Sequence, residues 1–201
     1  MSTIRVAVNG YGVIGKRVAD ALRHQEDMQR VGVEDIAAAW RVWPATEKSI
    51  PVFATSPDRL AAMREKGLAP AGLLDDLLDQ VDVVVDCTPK HVAAENVKIY
   101  RSRGVRFLVQ GGEKHAVTGH SFVAESSYAG AVGRDATRVV SCNTTSIVRT
   151  LTALNTAGLL LRARGTLLRR ATDPWESERG GVMNTIVPEP VIPSHQGPDA
   201  Q

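Results

Sequence analysis

A short apolar run, Ile4-Arg5-Val6-Ala7-Val8, gives way to Asn9-Gly10-Tyr11-Gly12-Val13-Ile14-Gly15 and then to a helical stretch, Lys16 to His24, with Val18 and Leu22 on one face. Strand, glycine turn and helix in this order restrict the fold more than any other feature of the chain. Each glycine of the G-x-G-x-x-G spacing has its own job: Gly10 makes the tight turn, Gly12 lets a pyrophosphate approach the backbone, and Gly15 allows close helix-to-strand packing. The phosphates would rest on the helix N-terminus. Alone, the spacing is weak evidence for more than a glycine-rich turn. Here a second strand follows at Arg30 to Val33, with the carboxylates Glu34 and Asp35 at its end, about 20 residues past the glycines, where the dinucleotide fingerprint wants an acid.

The rest of the chain alternates in the same way. Asp82-Val83-Val84-Val85-Asp86-Cys87 is a continuous apolar run of the kind buried on both faces of a parallel sheet, and Thr88-Pro89 ends it. Cys87, inside that run, reads as core packing. A helix from about Ala93 to Arg103 precedes Gly104, and Val105 to Val109 reads as the next strand, ending in Gln110-Gly111-Gly112-Glu113-Lys114-His115. Between Ile36 and Gln80 the signals are weaker: a Pro-bounded segment Pro51-Val52-Phe53, a helix from Pro57 through Lys66, and a short helix from Leu73 to Leu78 whose Asp75 and Asp76 form a solvated face. Trp40 and Trp43 read as core or interface anchors rather than a ligand-stacking pair. The alternation predicts an α/β fold, a Rossmann-type doubly wound parallel sheet, with ligands gathering at the carboxyl ends of the strands. The turns at Gly10, Thr88, Gly111 and Ser141 all follow strands.

At Ser141-Cys142-Asn143-Thr144-Thr145 the strand Arg138-Val139-Val140 ends and a helix begins, its face marked by Ile147, Leu151 and Leu154 and its end by Gly158. A cysteine just ahead of a helix start meets unpaired N–H groups and the positive end of the helix dipole, which favour the thiolate. The local pattern leaves two readings open, a nucleophile or a small buried residue. After this helix Arg162 to Leu168 reads as a strand with Arg169-Arg170 at its end, and the proline-rich remainder stops without a closing element.

The totals exclude several functions. A net charge of +2 with the basic residues spread along the chain gives no support for a nucleic-acid or membrane partner, and no run approaches a membrane span. Two cysteines make no disulfide framework and fit a reducing compartment, and the apolar start breaks too early for a signal peptide, so a cytoplasmic protein is expected. No metal ligation is expected.

The strings quoted above resemble the archaeal-type (type II) glyceraldehyde-3-phosphate dehydrogenases. The matching stretches are Val8 to Gly12 with Gly15 to Asp20, Val85 to Pro89, Gln110 to His115, Val139 to Thr145, Arg169-Arg170 with Asp173-Pro174, and Pro193-Ser194-His195 with Gly197-Pro198-Asp199. The resemblance implies a nicotinamide-cofactor domain over 1–141 and the first part of an incomplete catalytic (α+β) domain over 142–201. It further implies that Cys142 attacks the aldehyde of glyceraldehyde 3-phosphate, and that inorganic phosphate releases 1,3-bisphosphoglycerate from the resulting thioester, as in glycolysis or gluconeogenesis. Cofactor contacts would come from Gly10, Gly12, Val13, Ile14, Gly15, Glu34, Thr88, Gly111 and Arg170, and substrate contacts from Ser141, Asn143, Thr144, His195 and Gln196. The Cys142 and Asn143 N–H groups would act as oxyanion donors, and the Thr144 and Thr145 hydroxyls as phosphate contacts. A homotetramer is expected for the full-length family.

Departures from the family pattern carry their own expectations. His195-Gln196 stands where paired histidines are usual, Ser146 where glycine is usual, and Lys90-His91 where small or acidic residues are usual. Glu34-Asp35-Ile36-Ala37 replaces residues suited to a 2′-phosphate, so NAD is expected to be preferred, with NADP possible. The histidine that serves the family as general base falls after Gln201, and none of His24, His91, His115, His120 or His195 takes its place, so a truncated enzyme is expected. The competing reading is a dinucleotide-binding module without turnover, acting as a binding or assembly subunit. A non-phosphorylating aldehyde dehydrogenase or another Rossmann reductase fits the strings poorly.

Overall fold

The structure, a computed structural model, describes residues 3–38, 40–110 and 112–167. Eight strands, β1 (Ile4–Asn9), β2 (Met28–Asp35), β3 (Val52–Ala54), β4 (Gly72–Leu73), β5 (Val83–Asp86), β6 (Arg106–Val109), β7 (Ser121–Phe122) and β8 (Ala136–Val139), form one sheet in the order β4-β3-β2-β1-β5-β6-β8-β7. The β1, β2, β3, β4, β5, β6 and β8 ladders are parallel. The chain winds outward from β1 to β4, returns across the sheet, and continues outward from β5. The direction of winding therefore reverses between β1 and β5, the place where open α/β sheets bind ligands. The predicted Rossmann-type sheet is the fold observed.

Strand residues alternate between two apolar layers, as the period of two in a strand requires. On one face Val6, Val8, Val33 and Val52 pack with Ala19 and Leu22 of α1 (Val13–Leu22) and Met63 of α3 (Pro57–Glu65). On the other, Ala7, Val84 and Phe107 pack with Leu74, Leu77 and Leu78 of α4 (Leu74–Leu78) and Val97 and Tyr100 of α5 (Val92–Ser102). Val8, Val33 and Val84 are fully buried, each worth about 1.5–3 kcal/mol against an exposed side chain.

Contacts divide the chain into two compact units, Met1–Ser121 with Ala131–Val139, and Phe122–Gly130 with Val140–Gln201. In the second, Val123, Val140 and Val148 form a small apolar cluster, and Arg149 of α7 (Cys142–Thr156) pairs with Glu125 of α6 (Ala124–Ala131) at 2.6 Å.

Several expectations are corrected. β2 runs on through Asp35, so both carboxylates lie inside the strand. Trp40 and Trp43 are 57% and 50% exposed and are not core residues; Trp43 opens the short α2 (Trp43–Glu47). Arg162 to Leu168 is not a strand where it is described: residues 162–167 have no regular structure, and a strand exists only through a ladder that no described segment supplies. Arg169 and Arg170 lie outside the described residues. Cys87 falls one residue past β5, partly buried against the first apolar layer, and burial pushes its thiol up to about 12. At Lys90-His91, His91 takes a left-handed φ of 77° at the start of α5, and its N–H donates to the buried Glu113 carboxylate.

Gly15 tests the glycine reading directly. A Cβ there would stand 1.9 Å from Gly10 O and 3.4 Å from Val8 Cγ1. Gly15→Ala is expected to lower stability by about 1–3 kcal/mol or more, measured by urea denaturation, since the collision is with backbone.

Candidate cofactor and nucleophile sites

The turn after β1 is fixed by its neighbours on both sides. Gly10, at φ +90°, donates its N–H to Glu34 O at 2.9 Å, Tyr11 N–H donates to Asp35 Oδ2 at 2.8 Å, and Cys87 N–H donates to Asn9 O at 2.7 Å. A Cβ on Gly10 would meet the backbone of Cys87 and Thr88 at 2.9 Å, so Gly10 and Thr88 are brought together at the switch point. Gly12 differs: nothing lies within 4 Å of the Cβ it lacks, and open space stands above it.

Gly12 is the N-cap of α1, which has no capping side chain and no acid in its first turn. Its first N–H groups are therefore unspent and its dipole uncompensated, the condition under which a helix start holds an anion. Val13 and Ile14 on that first turn are about half exposed. The Lys16 ammonium lies 5.6 Å from the Tyr11 ring centroid and 5.9 Å from that of Trp40. An uncapped helix start and open space over Gly12 fit a dinucleotide's phosphates.

The two acids of β2 go to opposite faces. Asp35 faces the glycine turn, accepting from Tyr11 N–H and, at 2.8 Å, from Ala37 N–H. Glu34 points the other way and is 3% exposed; Thr55 Oγ1 donates to it, and burial raises its carboxyl to about 7. The acid nearest the turn is thus Asp35, one residue past the site residue expected. The alternation of a strand that extends to Asp35 was the signal available in the sequence.

A buried polar cluster around Asp86 was not foreseen. Asp86 Oδ1 accepts from Thr88 N–H at 2.9 Å and Thr88 Oγ1 at 2.5 Å; Oδ2 accepts from Tyr100 OH at 2.7 Å and Asn96 Nδ2 at 2.9 Å. Asn9 Nδ2 donates to Tyr100 OH at 2.6 Å. These bonds hold the Thr88 turn in place beside Gly10.

In the second unit Cys142 is the first residue of α7 and is exposed, which removes the reading of a small buried residue. Ser141 is the N-cap, its hydroxyl accepting from Thr144 N–H at 3.2 Å. The Cys142 and Asn143 N–H groups make no hydrogen bond among the described residues. Thr144 is fully buried with its hydroxyl 2.9 Å from Ser141 Oγ, so it is not presented to a ligand; position three of the helix turns it inward. Thr145 is partly exposed. Gly111, Arg170, His195 and Gln196 lie outside the described residues. His115 Nδ1 pairs with Ser121 Oγ at 2.9 Å and His120 Nδ1 with Thr137 Oγ1 at 2.6 Å. Among the described residues no group of three His, Cys, Asp or Glu could hold a metal ion, and no helix is long and apolar enough to cross a membrane.

A parallel sheet that reverses its winding at a glycine turn, with an uncapped helix start beside it, is the nicotinamide-dinucleotide fold of dehydrogenases. The chain belongs to the family described as dihydrodipicolinate reductase, N-terminus, which matches residues 4–112, from β1 to just past β6. Over its full length it is 45% identical to the glyceraldehyde-3-phosphate dehydrogenase of Methanococcoides burtonii, covering 60% of that protein. It is 46% identical to that of Thermococcus kodakarensis and 42% to that of Methanothermus fervidus, in each case over 98% of this chain and 58% of the relative. The resemblance to archaeal glyceraldehyde-3-phosphate dehydrogenases thus holds along the whole chain, which spans about three-fifths of the length of these relatives. Among solved structures, a UDP-N-acetylglucosamine 3-dehydrogenase from Acidithiobacillus ferrooxidans is similar at 21% identity and a TM-score of 0.46, covering 79% of this chain and 44% of that one.

The two thiols should react unequally. Iodoacetamide at pH 8 is expected to add one group per native chain, at Cys142, while the partly buried Cys87 reacts only after denaturation. Peptide mass mapping of the wild type and of Cys142→Ser checks this.

Proposed function

We propose that the chain carries the cofactor domain and the nucleophile of a phosphorylating glyceraldehyde-3-phosphate dehydrogenase. One observation carries the reading: Cys142 is exposed at the first position of a fifteen-residue helix, in a chain whose whole length aligns with about three-fifths of proteins named glyceraldehyde-3-phosphate dehydrogenase. In this reading the Cys142 thiolate adds to the aldehyde carbon of glyceraldehyde 3-phosphate. The Cys142 and Asn143 N–H groups hold the oxyanion of the thiohemiacetal. A nicotinamide cofactor held at the Gly10 turn and the start of α1 would supply the hydride acceptor that oxidation to a thioester requires. Inorganic phosphate then attacks the acyl carbon, the Cys142–acyl bond breaks, and the thiolate is regenerated as 1,3-bisphosphoglycerate leaves. With Thr144 buried, Asn143 and Thr145 are the contacts we assign to the substrate side of α7, with His195 and Gln196 following from the resemblance. A homotetramer is the assembly proposed for the full-length form.

For the cofactor, the pyrophosphate is assigned to the start of α1 over Gly12, with Gly10, Gly15 and Thr88 shaping the turn, Val13 and Ile14 along the ligand, and Gly111 and Arg170 from the resemblance. Asp35 replaces Glu34 as the acid at the ribose end, where it acts through its charge, since it is buried and its two oxygens already accept from Tyr11 and Ala37. A carboxylate there repels a 2′-phosphate, so NAD is preferred over NADP.

Three measurements test this. Formation of NADH from glyceraldehyde 3-phosphate that requires phosphate and is lost in Cys142→Ser supports the enzyme reading; NAD binding with no turnover supports a binding module instead. Titration of the purified chain should give a Kd for NAD at least about tenfold below that for NADP, a gap of about 1.4 kcal/mol, and Asp35→Ala should narrow it. Gly12→Ala should weaken NAD binding at least about tenfold while leaving stability within about 1 kcal/mol, because its methyl group enters open space.

A further inference from the structure

Among the described residues two buried side-chain polar atoms have no hydrogen-bond partner, Tyr11 OH and Asn9 Oδ1. Asn9 lies in the middle of a polar row. Its Cα pairs with Glu34 of β2 on one side and with Asp86 of β5 on the other, so all three side chains share one face of the sheet.

The directions of the hydrogen bonds around this row are determined. Four donors fill the Asp86 carboxylate, from Thr88 N–H, Thr88 Oγ1, Tyr100 OH and Asn96 Nδ2, leaving it an acceptor only. The single Tyr100 hydroxyl proton is therefore committed to Asp86. Asn9 must then offer Nδ2 to the Tyr100 oxygen, which turns Oδ1 away as an acceptor without a donor. The residue beside it on the same face is Glu34. An ionised Glu34 has no proton to give, whereas a neutral one has a single O–H.

We propose that Glu34 carries a proton in the folded chain and donates it to Asn9 Oδ1, completing a buried hydrogen-bond chain Thr55–Glu34–Asn9–Tyr100–Asp86 that makes the end of β2, and the glycine turn it holds, sensitive to pH. The two charged groups that act on Glu34 are both acids and both raise its proton affinity. Asp35 from its own strand and Asp86 from β5 are acids, Tyr100 comes from α5, Thr55 follows β3 as a neutral donor, and α4 brings Leu74 and Leu77. Burial is the largest cause of the rise to about 7, with Thr55 opposing it and the two aspartates adding to it. Glu34 also reaches the turn through its backbone, accepting the Gly10 N–H.

Folding raises the proton affinity of Glu34. Its contribution to stability is therefore complete below the ordinary carboxyl value of 4.5, declines as pH rises, and is gone above about 7. Carbon-13 NMR of the full chain labelled at the glutamate carboxyls, with Glu34→Gln assigning the signal, should show Glu34 titrating near 7. In Glu34→Gln the side-chain amide donates to Asn9 and accepts from Thr55 at every pH. Its melting temperature should lack the part of the wild-type decline that falls between pH 4.5 and 7. Tyr100→Phe releases Asn9 to turn its amide toward Glu34, so the Glu34 midpoint should move down toward the ordinary range. Titration of Glu34 in the wild type at its ordinary value, or an unchanged decline in Glu34→Gln, overturns the proposal, as does a midpoint unmoved in a folded Tyr100→Phe.

Discussion

Everything the sheet offers to a ligand depends on how the chain turns after β1. Gly10 passes its N–H to Glu34 O, Tyr11 passes its N–H to Asp35, and Cys87 closes the other side through its N–H to Asn9 O. The turn is therefore clamped from β2 and from the end of β5 at once. Gly15 completes the clamp from above, since only a residue without a Cβ lets α1 approach the Gly10 carbonyl. Clamping the turn ahead of the helix leaves the first N–H groups of α1 with no capping side chain to consume them. A preformed donor set of this kind lowers the ordering cost of binding.

Most of this was legible in the sequence where burial imposes a pattern. β1 and β5 are apolar on both faces, so their runs stand out, and the glycine spacing between β1 and α1 reads directly. β3, β4 and β7, of three, two and two residues, are too short to show a period and exist through their place in the sheet. The Trp40 and Trp43 pair, read as core or interface anchors, loses the core alternative, since both residues are about half exposed. Arg162 to Leu167 has the composition of a strand without a described partner to make it one.

The site was less legible than the fold, for a physical reason. Its polar bonds join residues far apart in sequence: Asn9 to Tyr100 across 91 positions, Tyr11 to Asp35 across 24. No local pattern encodes such pairings. The choice between Glu34 and Asp35 could have been made, because consecutive strand residues face opposite ways. It turned on where β2 ends, and strand ends are the least certain part of any sequence reading. Two added residues of strand, Glu34 and Asp35, put the carboxylate at the turn on Asp35 and send Glu34 into the buried row with Asn9 and Asp86.

The two helix starts that matter here use the same resource in different ways, and the N-cap residue decides which. At α1 the N-cap is Gly12, which contributes no side chain, so the whole first turn of N–H groups is left for an external anion. At α7 the N-cap is Ser141, whose hydroxyl takes the Thr144 N–H and draws the Thr144 side chain inward. What remains at α7 is narrower: the Cys142 and Asn143 N–H groups, beside an exposed thiol. An open first turn suits a diphosphate, with several oxygens and spread charge. A capped one, with two donors left next to an exposed thiol, is suited to a single oxygen. Exchanging the cap residues would therefore be expected to exchange breadth for focus, which is why a glycine at position 12 and a serine at position 141 say more about these two sites than the helices that follow them.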